Sequence, residues 1–151
     1  MAISIIKPNS LGGVPCFSAY NNATTSVTNA ISTKVALQVE EFDTANAFDS
    51  TTNYRFQPLV AGYYQVSGSI YTAATSGIAE AFIYKTGAAY KGGGIVPAFS
   101  GGAVTGVSCL VYLNGTTDYI ELYAYQNSGT TSTVLANQVY TYFQATFVRG
   151  A

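Results

Sequence analysis

An all-β chain is predicted, a sandwich or a barrel, and three observations point to it. Short stretches alternate between apolar and polar residues with a period of two, turn residues separate them, and no window carries a helical period. β-Branched and aromatic residues dominate, and Gly recurs throughout, a composition that disfavours helices. The 151 residues fit one domain able to bury a full core.

The alternation predicts strands near 16–21, 33–40, 54–58, 63–72, 79–85, 104–113, 118–126 and 139–149. Turns are expected at Asn21-Asn22, Lys91 to Gly94, Ser100 to Gly102, Asn114-Gly115 and Asn127 to Gly129. From 63 to 72, Tyr64, Val66 and Ile70 share one face and Gln65, Ser67 and Ser69 the other. Asn114-Gly115 is the clearest hairpin signal, with Val111 and Leu113 on one side of it and Ile120 and Leu122 on the other. Parity assigns the core to Phe17, Phe56, Tyr64, Val66, Val111, Leu113, Ile120, Leu122, Phe143 and Phe147. Residues 1–14 are expected to form an extended arm, and residues 15–151 one domain without a linker.

Composition excludes several functions. Only 9% of residues are charged and the net charge is −1, so duplex nucleic acid and anionic membranes are poor partners. Neither a signal peptide nor a membrane span fits. The sequence has no His, which removes His-based triads and most zinc sites. Glu40 and Glu41 point to opposite faces of a strand. A turn cap accounts for Asp118 and a solvated face for Glu121. Asp43, Asp49 and Asp118 could offer oxygens to Ca²⁺, but turn capping explains them better. Gly92 to Gly94 lack the Lys-Ser/Thr of a phosphate loop. Neither an enzyme nor a cofactor is implied. Cys16 and Cys109 lie on opposed parities, so two free, buried thiols are expected.

A set of spaced residues resembles the globular head of complement component 1q and its tumour-necrosis-factor-like relatives. It comprises Phe17-Ser18-Ala19, Asn46, Phe48-Asp49, Phe56, Pro58, Gly62, Tyr64, Val111, Leu113, Asp118, Ile120, Leu122 and Phe143-Gln144-Ala145. The resemblance spans about residues 16–149 and implies a jelly-roll β-sandwich of about 8–10 antiparallel strands that forms a homotrimer. Departures include Val66 where an aromatic is usual, Ala145 for Gly, and no collagen-like tract. NGTTDYIELYAYQNSG and TYFQATFVRGA look instead like the copies of this domain in tailed-phage virion proteins.

That resemblance places the strands near 16–21, 63–72, 104–113 and 139–149 in one sheet. Its face away from the core would carry Tyr20, Tyr63, Gln65, Tyr71, Leu110, Tyr112, Tyr140 and Tyr142, an uncharged aromatic surface suited to a threefold interface. The implied role is a trimeric capsid decoration protein, made in the host cytoplasm and carried on the virion. Its arm (Ile3, Ile5, Ile6, Lys7, Leu11) would reach ~45 Å, at ~3.3 Å per residue, onto the major capsid protein. The alternative is a tail-fibre or receptor-binding head that meets a host glycan through its loops; a secreted adhesin or carbohydrate-binding module, with tyrosines stacking on sugar, ranks behind it.

Overall fold

The computed structural model describes residues 14–151; the expected arm contacts Ile3, Ile5, Ile6, Lys7 and Leu11 lie outside them. The strands are β1 (Cys16–Tyr20), β2 (Thr25–Val27), β3 (Thr33–Lys34), β4 (Val39–Asp43), β5 (Phe48–Asp49), β6 (Arg55–Phe56) and β7 (Gly62–Thr72), followed by β8 (Ile78–Lys85), β9 (Ala88–Gly92), β10 (Val96–Pro97), β11 (Ala103–Leu113), β12 (Ile120–Gln126), β13 (Ser132–Val134) and β14 (Tyr142–Arg149). No helix occurs among the described residues. The first sheet runs β11-β7-β14-β1-β4, with β13 on the end of β7 and β2 beside it. The second runs β10-β8-β12-β6-β5, with β3 on β12 and β9 on β8. All pairs are antiparallel, and the fold is a jelly roll.

The core lies between the sheets because inward parity is apolar in both. Phe17 from β1 stacks on Phe48 and Phe56 at centroid separations of 4.7 and 4.5 Å, and meets Phe143 edge-on. Ile83, Leu113, Ile120 and Leu122 complete it and are fully buried. Gly68 is needed at the middle of β7, since a Cβ there would stand 2.6 Å from Leu122 Cδ1. Nine of the ten expected core residues are buried; the tenth, Phe147, is half-buried and packs edge-on against Tyr64 at the core's rim.

Three expectations need correction. Asn114-Gly115 does not close a hairpin: β11 pairs with β7 in the first sheet and β12 with β8 in the second. The link crosses between the sheets. Asn114 Oδ1 accepts the backbone N–H groups of Thr116, Thr117 and Asp118, and so builds the turn without strand pairing. The expected strand 33–40 also changes sheets, since β3 pairs with β12 and β4 with β1. Between them Val35 and Leu37 bury their side chains along the crossing. Finally, Glu121 is not on a solvated face. It is 3% exposed, its carboxylate 2.6 Å from Lys34 Nζ.

Candidate functional site: the outer face of the first sheet

β1, β7, β11 and β14 lie together as expected, and their alternate residues turn away from the core. Tyr63, Gln65, Leu110 and Tyr112 are exposed on this face; Tyr20, Tyr71 and Tyr142 are half-buried. Tyr140 is exposed but sits in the turn before β14 and not on a strand, where it meets Tyr71 edge-on at 5.8 Å. Tyr63 and Tyr112 are cross-strand partners with rings 5.6 Å apart. The eight expected residues therefore line one side of one sheet.

The face is larger than parity alone shows. Phe42, 48% exposed, joins it from β4. Phe42 was missed because Glu41 is an extra residue opposite Ser18, a bulge that breaks the period of two. Val104 and Val148 also stand exposed on it; Val104 continues the alternation that ends in Leu110 and Tyr112, a signal that was available.

Polar groups at the centre are already satisfied. Gln65 Nε2 donates to Ser108 Oγ at 2.8 Å and Gln144 Nε2 to Ser67 Oγ at 3.0 Å. Ser18 Oγ donates to Glu41 Oε2 at 2.6 Å at the β4 edge. Between that edge and Arg149 at one end, the outward positions of these four strands hold no charged side chain. Two hollows give the face relief. One, about 240 Å³, is bordered by Cys16, Phe42, Gln65, Ser67, Gln144 and Thr146. The other, about 310 Å³, is formed by Tyr63, Leu110, Val148 and Arg149.

Across the sandwich the second sheet presents a different outer surface. Tyr84 and Tyr123 lie flat on each other at 3.8 Å, and Phe82 meets Tyr84 edge-on. The Arg55 guanidinium sits 4.3 Å over the Tyr119 ring. Lys34–Glu121 and Lys85–Asp118 are ion pairs on this side. Burial and the nearby Glu121 carboxylate push the Tyr123 hydroxyl up.

The remaining candidates resolve into local structure. Asp43 accepts the N–H groups of Ala45, Ala47 and Phe48. Asp49 accepts those of Thr51, Thr52 and Asn53, and these bonds hold its carboxyl well below the usual range. Asp118 accepts from the Asn114 N–H. Among the described residues no cluster of three His, Cys, Asp or Glu could hold a metal ion. Both thiols are free. They are only partly buried: Cys16 borders a hollow of the outer face, while Cys109 packs against the core and is pushed up by burial.

No protein-family model and no curated protein matches this sequence. Solved structures do match the fold. The tumour-necrosis-factor protein Eiger of S. frugiperda superposes with a TM-score of 0.71 at 11% identity, covering 92% of this chain and 95% of that one. The globular domain of zebrafish complement 1qA gives 0.66 at 14%, covering 91% and 99%. PRD1 vertex protein P5 gives 0.65 at 15%, covering 90% of this chain and 74% of that one. At such identities the likeness is one of fold, and the fold shared with the first two is the jelly roll of the tumour-necrosis-factor and complement 1q heads.

Proposed function

We propose that this chain is a structural protein of a phage virion, a homotrimer that decorates the capsid by binding the major capsid protein, and not an enzyme. The observation that carries the self-association is the uncharged outer face of the first sheet. Phe42, Tyr63, Leu110, Tyr112 and Val148 stand in water there beside hydrogen-bonded Gln and Ser groups. An uncharged face with apolar side chains exposed around a satisfied polar centre suits an interface, and its ring-plus-hydroxyl chemistry suits a threefold contact. The likeness to a phage vertex protein supports a place on the particle. So does the resemblance of NGTTDYIELYAYQNSG to phage copies of the domain.

Sedimentation equilibrium should give three times the 15.9 kDa chain mass. A stable monomer at micromolar concentration would refute the trimer. Purified particles run on a stained gel decide the position: hundreds of copies per virion indicate the capsid, a handful the tail. The second reading, a tail-fibre head contacting host glycan, is favoured by one feature. A hollow of about 320 Å³ beside β5 and β6 is lined by Asn46, Asn53, Arg55 and Gln57, side chains suited to sugar hydroxyls.

A further inference from the structure

The outward face of the first sheet has two long borders, and they differ in charge. β4 forms one and β11 the other. On the β4 border stand Glu40, Glu41 and Asp43. Two of these carboxylates are engaged within the chain. Asp43 caps the turn before β5 through three N–H groups, and Glu40 Oε1 accepts the Ser50 hydroxyl at 2.6 Å. Glu41 differs. It is the bulged residue opposite Ser18, whose side chain points away from the core because Phe17 and Ala19 point into it. The Ser18 hydroxyl bonds Glu41 Oε2, so this carboxylate lies over the outward face. It is exposed and has no cation paired with it among the described residues.

The β11 border carries the opposite sign. β9 and the segment after it run alongside: the Tyr90 hydroxyl donates to Leu110 O at 3.3 Å, and the Thr105 hydroxyl donates to Gly94 O at 2.6 Å. These bonds hold Lys91 beside β11. Burial pushes the Cys109 thiol of that strand up, and Lys91 is near enough to oppose the push. Lys91 is exposed, its ammonium 5.3 Å from the centre of the Tyr90 ring. The other cations among the described residues are placed elsewhere. Lys34 and Lys85 are paired with Glu121 and Asp118, and Arg55 lies over Tyr119 across the sandwich. Arg149 ends β14 and donates to Gly150 O at 3.1 Å.

A threefold ring closes head to tail, so two different patches meet in every contact, whereas a twofold dimer sets one patch against itself. A twofold contact at the β4 border would bring Glu41 against Glu41, which like charges oppose. Head to tail, the carboxylate border of one copy meets the lysine border of the next. A carboxylate covered by a neighbour that brings no cation is strongly unfavourable. We propose that Lys91 of each copy pairs with Glu41 of the next, closing the β9–β11 border of one chain on the β4 border of its neighbour. The inference rests on the trimer proposed above and deepens it, because it commits the ring to one sense of contact. The uncharged centre of the face gives area without direction; this pair of borders supplies the direction. The hollow of about 240 Å³ opens beside Phe42, the residue after Glu41, and gives the arriving border room to seat.

The test is sedimentation equilibrium of the full chain, read as the concentration at which half of it is trimeric. Lys91→Glu should raise that concentration at least about tenfold, since it sets two carboxylates against each other. Glu41→Gln keeps an acceptor for Ser18 and removes only the charge, so it should raise it less. In the Glu41→Gln background Lys91→Glu should do clearly less harm than in the wild type, the coupling that a direct contact requires. Arg149→Glu should show no such dependence on position 41. Circular dichroism should match the wild type in every variant, because Lys91 and Glu41 are exposed. A wild-type assembly curve for Lys91→Glu, or the same loss in both backgrounds, would overturn the pairing. So would a coupling found for Arg149→Glu in its place. A wild type that is itself monomeric means that the trimer has failed, and the inference with it.

Discussion

Tyr84 and Tyr123 on the outside of the second sheet pack flat on each other, whereas Tyr63, Leu110 and Tyr112 on the outside of the first leave much of their surface in water. Both surfaces are rich in aromatic rings. On the second sheet the rings find partners within the chain and charged groups surround them: Arg55 covers Tyr119, and Lys34 neutralises Glu121. On the first sheet the polar groups are closed among themselves, and Tyr63 meets Tyr112 and Tyr71 meets Tyr140 without lying flat, so that more ring surface stays in water. The contrast separates two uses of tyrosine. In one the ring packs flat on its neighbour; in the other it keeps much of its surface in water, as the proposed interface requires.

The sharpest way to break this comparison is a charge on each face. Leu110→Asp should convert the proposed trimer into a monomer or an aggregate while the isolated fold persists, because Leu110 is 55% exposed and adds nothing to the core. A trimer of unchanged mass would show that the first sheet's face is not the interface.

The second face should respond in stability and not in mass. Lys34→Ala leaves the Glu121 carboxylate buried without its cation, and about 3 kcal/mol should be lost. That is the low end for a broken buried pair, since the Lys34 side chain keeps 34% of its surface. Chemical denaturation of the Leu110→Asp monomer, with and without Lys34→Ala, measures it free of assembly.

A double-mutant cycle on Tyr84 and Tyr123 sharpens the contrast further. Their stacked rings should couple by about 0.5–1.5 kcal/mol, whereas Tyr71 and Tyr142, taken through the same cycle in the monomer, should couple less. Equal couplings would erase the distinction between the two faces.

The smallest effect is one of pH. Asp49 titrates below its ordinary value because backbone N–H groups bond its ionised form. Its contribution is therefore complete above about pH 4, the unfolded carboxyl's value, and is lost as pH falls below it. Asp49→Asn should flatten the acid limb of a stability–pH curve. An unchanged limb would mean that the cap adds nothing.

Much of this was legible in the sequence because inward parity is a local property. Phe17, Tyr64, Leu113 and Phe143 announce their side of the sheet by their neighbours alone. Which sheet a strand joins is not local. The run Thr33 to Glu40 alternates without a break while the chain changes sheets, and Asn114-Gly115 permits a hairpin as readily as a crossing. Two-residue strands such as β5 and β10 hold too few residues for a period to show. Glu121 reads as an outward polar position, which it is; nothing in its neighbours reveals that Lys34, 87 residues earlier in the chain, covers it. Seven of the eight interface candidates sit on strands of one sheet because the alternation of those long strands is unbroken, while Phe42 was hidden by a single extra residue.

The position of β14 in the first sheet also sets a schedule for assembly. β14 lies between β7 and β1, so these two strands are joined only through it. A chain still emerging from the ribosome, at about 5–20 residues per second, can complete β7 and β11 as a pair. It cannot join β1 to them before Tyr142 to Arg149 have been made. The continuous outer surface therefore comes into being only once Tyr142 to Arg149 have been made. Before that point a growing chain has no complete first-sheet face to offer to another copy.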